Sequence, residues 1–239
     1  MELFDSEGLP DYSKIKYFSD SDYAFFFSYA RKTKIEGLLI GGNVKLIYRQ
    51  IGDFANAWGF GIDAGLKYAL NKWRFGATLR DVTSTFNAWT FDTDKLKDVF
   101  LQTGNEVPEN SVELSLPKLT LGVGRHFDIS DKIGLYAEVD ADLTFDGKRN
   151  VLVSSEAVSI DPHIGLEFDY SDMIFLRGGI GSIQEITDFD GSKYDIQPSV
   201  GVGFKFRNFS IDYALTSMGD EFFYSNIFSL KYAFNRKKK

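Results

Sequence analysis

Residues 58–70 read WGFGIDAGLKYAL and alternate without a break. Trp58, Phe60, Ile62, Ala64, Leu66, Tyr68 and Leu70 fall on one side of an extended strand, and Gly59, Gly61, Asp63, Gly65 and Lys67 fall on the other. A helix would scatter these residues around its surface, so the stretch is a strand with one apolar and one polar side. Aromatics sit near both ends of the apolar side with smaller aliphatics between them. At about 3.3 Å per residue, such a segment crosses a bilayer core at a tilt of ~40°.

The same pattern recurs along the chain. Tyr23, Phe25, Phe27 and Tyr29 line one side of 21–31, and Val44, Leu46 and Tyr48 alternate with Asn43, Lys45 and Arg49 in 38–49. In 73–80, Trp73, Phe75, Ala77 and Leu79 oppose Arg74, Gly76, Thr78 and Arg80. Further strands are expected at 117–127, 133–145, 161–170, 173–183, 196–206, 209–216 and 225–234, giving about eleven in all. Tight turns at Asn71-Lys72, Ser171-Asp172 and Arg207-Asn208 alternate with long connections at 83–112, 146–160 and 184–195. Inside the longest, DTDKLKDVFLQTG has the form of a short helix capped by Asp92 or Asp94.

Composition agrees with strands and excludes several functions. The chain holds 23 Phe, 12 Tyr and 22 Gly against 5 Pro. No run reaches the ~18 apolar residues of a transmembrane helix, yet alternating barrel strands keep mean hydropathy near neutral, here -0.18. A net charge of -7 argues against nucleic acid, whose phosphates require clustered cations. With no Cys, thiol catalysis, disulfides and thiolate metal sites are excluded.

The fold expected is all-β, an antiparallel up-and-down transmembrane β-barrel. Residues 1–20 form an acidic extracellular loop, 21–235 the strands with the three long loops outside, and 236–239 a basic periplasmic tail. An odd strand count beginning outside implies at least one strand ahead of residue 1, because a bacterial single-chain barrel has an even number. Residues 1–20 also lack the basic start and apolar core of a secretion signal, so a longer protein is expected. Alternation alone does not say which face is the core, and a soluble barrel or sandwich with its apolar side inward is the competing fold.

The lumen-facing side of such a barrel carries Lys45, Arg49, Asp63, Lys67, Arg74, Arg80, Glu138, Asp140, Asp142, Glu167 and Arg177, with Asp169, Lys205 and Asp212. Their mixed signs point to an internal ion-pair network, with a polar conduit or ligand-selective ring as the functional alternative. No catalytic constellation is expected. Glu138, Asp140 and Asp142 stand alone along one strand, and Ser84, Thr85 and Ser111 lack a nucleophile frame. No metal or other cofactor is expected either. His126 and His163 have no further ligands at defined spacing, and Asp188, Asp190, Gly191 and Asp195 lack the closing Glu of a calcium loop. Phe86, Trp89, Phe91 and Phe100 make the 83–112 loop too apolar to be idle, so it is expected to plug the barrel or bind a partner protein. Outward aromatics such as Trp58, Tyr68, Trp73 and Tyr232 suit the interfacial belts of a membrane protein.

Seven segments, YAFFFSYARK (23–32), GDFANAWGFGIDAGLKY (52–68), RDVTSTFNAW (80–89), TGNEVPENS (103–111), TFDGKRNVL (144–152), SIDPHIGLEF (159–168) and TDFDGSK (187–193), resemble the PorV/PorQ family. These are FadL-like outer-membrane barrels associated with type IX secretion, and the resemblance covers the chain from about residue 19 onward, closest to PorV-like paralogues. It implies a fourteen-stranded barrel of which three strands are absent here. It also implies a bacterial outer-membrane location in contact with lipid, and docking to a secretion translocon or carriage of secreted cargo. The FadL-like alternative is passage of a small hydrophobic ligand.

Overall fold

A computed structural model of the chain describes residues 19–95, 97, 106, 109–188, 191–218 and 223–234, with backbone alone at 185–188 and 191–194. Among the described residues fourteen strands follow one another: β1 Asp20–Lys32, β2 Leu38–Ile51, β3 Ala55–Leu70, β4 Trp73–Arg80, β5 Thr85–Phe91, β6 Ser111–Ser115 and β7 Lys118–Asp128. The second half is β8 Ile133–Thr144, β9 Val153–Ser154, β10 Ser159–Tyr170, β11 Ile174–Asp188, β12 Gly191–Phe206, β13 Phe209–Ser217 and β14 Tyr224–Tyr232. They form one antiparallel up-and-down sheet whose main path is β1-β2-β3-β4-β7-β8-β10-β11-β12-β13-β14. Among the described residues no ladder joins β14 to β1. No helix among the described residues is long and apolar enough to cross a membrane.

The eleven strands expected from alternation are the eleven of this path. Their tight turns have the backbone that short hairpins require: Ser171 and Asp172 both take φ 54, matching the right-handed twist of the flanking strands, and Asn71 takes φ 52. Polar residues with short side chains tolerate this left-handed region best.

The long connections are more ordered than alternation alone indicated. Residues 83–112 are not simply a loop: β5 pairs with β3 from Ala55↔Phe91 to Phe60↔Phe86, and β6 pairs with β5 from Thr85↔Ser115 to Trp89↔Ser111. β3 accordingly starts at Ala55 instead of residue 58. The 184–195 loop is the end of a hairpin, with pairing carried from Gln184↔Asp195 to Asp188↔Gly191 beyond an irregularity at Gly181/Gln184. In the 146–160 loop, β9 pairs with β10, which begins at Ser159. Thr93–Lys95 and Lys97 are helical behind Asp92. Residues 1–18 and 235–239, and so most of the expected acidic loop and the basic tail, lie outside the described residues.

The chain divides into two compact units. One comprises Met1–Tyr29, Gly42–Asp63 and Asp81–Leu116, and holds the β3–β5–β6 pairing. The other comprises Ala30–Gly41, Ala64–Arg80 and Pro117–Lys239, and holds the ladder from Ala64 of β3 through β14.

In both units burial is inverted relative to a water-soluble sheet. The only apolar residues buried among those described are Ala55 and Ala57, at 4% and 0% exposure. Ile164, Leu176 and Val200 are 57%, 56% and 58% exposed, and Leu66 is 46% exposed. Among the described residues Asp63, Thr85, Asn87, Thr144 and Ser159 are the buried polar ones. A strand surface sheltered by charges and glycine, with its large aliphatics uncovered, has no hydrophobic core facing inward.

Candidate functional site

The polar face carries several separate side-chain clusters. In the first unit, Lys45 from β2 meets Asp63 from β3 and Asp81 from the turn that follows β4. Lys45 Nζ stands 2.9 Å from Asp63 Oδ1 and also contacts Asp81 Oδ1, and all three side chains are nearly buried, at 11%, 12% and 17% exposure. The Asp81 backbone N–H donates to Asp63 Oδ1 at 2.8 Å, and the Thr85 hydroxyl donates to Asp81 Oδ1. Asp81 and Ser84 adopt left-handed backbone, φ 54 and 56, and the Ser84 N–H closes the turn on the Asp81 carbonyl at 2.8 Å. Gly61 makes room for the cluster, since a Cβ there would stand 1.9 Å from Thr85 Oγ1 and 2.6 Å from Lys45 Cε. One cation between two carboxylates in a sheltered site satisfies charges that would be costly to leave unpaired. The cluster fastens the start of β5.

Arg49 fastens the other end of the same extension. Its Nε donates to Asp22 Oδ1 at 3.0 Å and its Nη1 to Glu113 Oε2 at 3.1 Å, while the guanidinium lies 5.1 Å over the Trp89 ring. Trp89 Nε1 donates to the same Glu113 oxygen at 3.0 Å, and Phe91 stacks on Trp89 at 6.1 Å. Trp89 and Phe91 therefore belong to the charged face, and Phe86 does not. Phe86 points the other way, 42% exposed, with its ring 6.4 Å from Phe60 and Leu114 as its register partner on β6. The three described aromatics of the four expected to act as one patch are thus divided between two faces by the period of the strand. Phe100 lies outside the described residues.

In the second unit, Arg177 of β11 reaches Glu167 of β10 through Nε and Asp212 of β13 through Nη1. On β8, Asp142 accepts from Lys118 Nζ at 2.7 Å and from the Thr120 hydroxyl at 2.6 Å. Glu138 and Asp140, the other members of that stripe, form no ion pair with a described residue. They line a cavity of about 540 Å³ together with Tyr136, His163, Arg177 and Asp212. His163 Nε2 is 3.5 Å from Asp142 and 3.8 Å from Asp161, while His126 lies between Asp128 at 3.0 Å and Asp169 at 3.2 Å. Arg74 turns toward the strand end, donating to the Asn71 and Trp73 carbonyls at 2.8 and 2.9 Å. Lys67 makes no ion pair among the described residues, and Arg80 sits in register with Lys118 rather than with an acid. Among the described residues no group of three or more His, Asp or Glu is arranged to hold a metal ion.

No family model and no curated protein matches this chain.

Two features escaped the sequence reading. Asp22, Asp81 and Glu113 lie at strand ends or in segments assigned to loops, so alternation gave them no partner. Arg125 falls on the apolar face of β7, where its guanidinium lies 5.0 Å over Trp73 and 5.0 Å over Phe127. The break in apolar alternation between Val123 and Phe127 was its only signal. Outside the strands, Arg149 Nε donates to both carboxylate oxygens of Asp146, at 2.9 and 3.2 Å, and holds that carboxyl below the usual carboxylate range. The Arg149 N–H in turn donates to buried Ser159 Oγ at 3.0 Å, and the Ser159 hydroxyl donates to the Gly147 carbonyl at 3.0 Å. This closes the 146–159 loop.

Proposed function

We propose that the protein is an outer-membrane β-barrel of the PorV/PorQ type, which docks to a type IX secretion translocon or holds secreted cargo at the bacterial surface. The observation that carries the membrane part is the inverted burial: among the described residues no large apolar side chain is buried, and the buried positions go to Gly, Ala, Asp, Thr, Asn and Ser. Lipid removes that surface from water at no cost to the charged side. The aromatic contacts fit a membrane boundary, with Tyr48 4.9 Å from Trp58 in one unit and Trp73 6.3 Å from Phe75 in the other. Arg125, laid over Trp73 and Phe127, has the form of a cation that runs its stem along apolar surface to reach head groups.

The secretion role rests on the family resemblance. The surface that suits it is the apolar side of the β5–β6 extension, where Phe86, Val112 and Leu114 are 42%, 62% and 61% exposed. The wall of the 540 Å³ cavity mixes Glu138, Asp140, Arg177 and Asp212 with apolar residues, so it is no purely apolar path for a hydrophobic small molecule. Affinity capture of the protein from native membranes tests the reading. Secretion components should be recovered with the wild type and depleted with Phe86→Ala plus Leu114→Ala. Equal recovery from both would move the interface elsewhere.

A further inference from the structure

The end of the β12–β13–β14 ladder that carries the Arg207-Asn208 turn combines two features that the membrane reading does not by itself require. The first is an aromatic row on the apolar face. Phe206 is the register partner of Phe209, and Phe209 is the partner of Tyr232, so three rings lie side by side across three strands. Phe234 extends the row, edge-on to Tyr232 at 4.7 Å. Between them is a notch of about 290 Å³ lined by Phe206, Arg207, Asn208, Phe209 and Tyr232.

The second feature is uncompensated positive charge. The Arg207 guanidinium lies 5.1 Å over the Phe206 ring at the mouth of the notch. On the other face of the same strand ends, Lys205 and Lys231 are both register partners of Ser210. All three cations are exposed, and among the described residues none is in an ion pair. Asp172 in the adjacent turn makes no ion pair with them either. On a chain of net charge -7 this is a local reversal of sign. Lys72, at another tight turn, is by contrast already paired with Asp128 at 2.5 Å.

We propose that this notch is a binding site for the head group of an anionic phospholipid, with Arg207 on the phosphate, Lys205 and Lys231 supplying the surrounding field, and the Phe206–Phe209–Tyr232 row lying against the upper acyl chain. The chemistry selects the ligand class. A phosphodiester satisfies a guanidinium fork, and a ring-lined notch beside it is of use only to a phosphate that carries apolar chains. An exposed cation near an anionic bilayer surface contributes roughly a fivefold preference. The inference rests on the membrane reading above, and the experiment separates the two.

The protein is reconstituted into nanodiscs of phosphatidylcholine containing a minor fraction of phosphatidylglycerol, and the lipids that remain bound after transfer to detergent are counted by native mass spectrometry. The expected result is retention of phosphatidylglycerol over phosphatidylcholine, reduced about fivefold in Arg207→Gln and further in Arg207→Gln with Lys231→Gln. Lys72→Gln, which removes a cation already paired with Asp128 at another tight turn, should leave the retention unchanged. Equal retention of the two lipids, or a preference untouched by Arg207→Gln, overturns the site. Loss of the preference on adding inorganic phosphate would make it a phosphate site without lipid specificity and overturns it too. Failure of the protein to enter the nanodisc bilayer would instead sink the barrel reading.

Discussion

Asp63 Oδ1 accepts the backbone N–H of Asp81 at 2.8 Å, so a carboxylate in the middle of one strand holds the left-handed turn at the end of another. Lys45 joins both carboxylates, and the start of β5 depends on the arrangement. Lys45→Met would leave two sheltered carboxylates facing one another and should cost about 3 to 5 kcal/mol in reversible unfolding. Adding Asp63→Asn and Asp81→Asn to Lys45→Met should recover part of the loss. If the triple variant is no more stable than Lys45→Met, the cluster is not held by charge.

Two glycines on the same polar face should respond in opposite ways. A Cβ at Gly61 collides with Thr85 and Lys45, so Gly61→Ala should destabilise by ~1 to 3 kcal/mol. A Cβ at Gly76 meets nothing within 4 Å, and Gly76→Ala should be neutral or gain about 0.5 kcal/mol. Urea titration of the two variants in parallel provides the check, and equal losses would contradict the side-chain placement around Lys45.

The Asp146–Arg149 pair makes a pH prediction. Because pairing lowers the folded-state pKa of Asp146, its stabilisation is present above the unfolded value of ~3.9 and is lost as pH falls through the lower folded value. Amide exchange in the 146–159 loop should be faster in Asp146→Asn than in wild type at neutral pH. The two should converge once the medium is acidic enough to protonate Asp146. A difference that persists at the acid end would mean that Asp146 holds the loop by something other than its charge, and no difference at neutral pH would mean that Ser159 alone holds it.

The eleven strands of the main path and their two faces were legible in the sequence because long antiparallel strands with one apolar side repeat at period two. β5 was not, since TFNAWTF carries aromatics on both sides, Phe86 on one and Trp89 and Phe91 on the other, and so shows no polarity to read. β6 alternates but is only five residues long and is followed by Pro117. Of the charged positions, the face of Lys45, Asp63 and Arg177 could be read, but not their partners. Which carboxylate meets which cation depends on strand register, and two of the partners, Asp81 and Glu113, sit in segments that looked like loop.

Face assignment within β3 can be tested by a pair of neighbours. Leu66→Arg places a charge on the apolar side and should cost ~2 to 4 kcal/mol in a bilayer, whereas Lys67→Gln changes the polar side and should be mild. Reversible folding into lipid vesicles gives both values. Equal costs would mean that the two sides are not lipid and water.

The claim that the uncovered aliphatics face lipid is tested most directly by cysteine scanning, for which a chain with no native Cys is already suited. Spin labels placed singly from Ile164 to Asp169 on β10, in protein reconstituted into vesicles, would be measured for collision with oxygen dissolved in lipid and with a water-soluble nickel chelate. The account predicts oxygen maxima at 164, 166 and 168 and chelate maxima at 165, 167 and 169, repeating at every second residue. Labels at 164, 166 and 168 shielded from both reagents, as in a soluble protein with its apolar side packed inward, would contradict it.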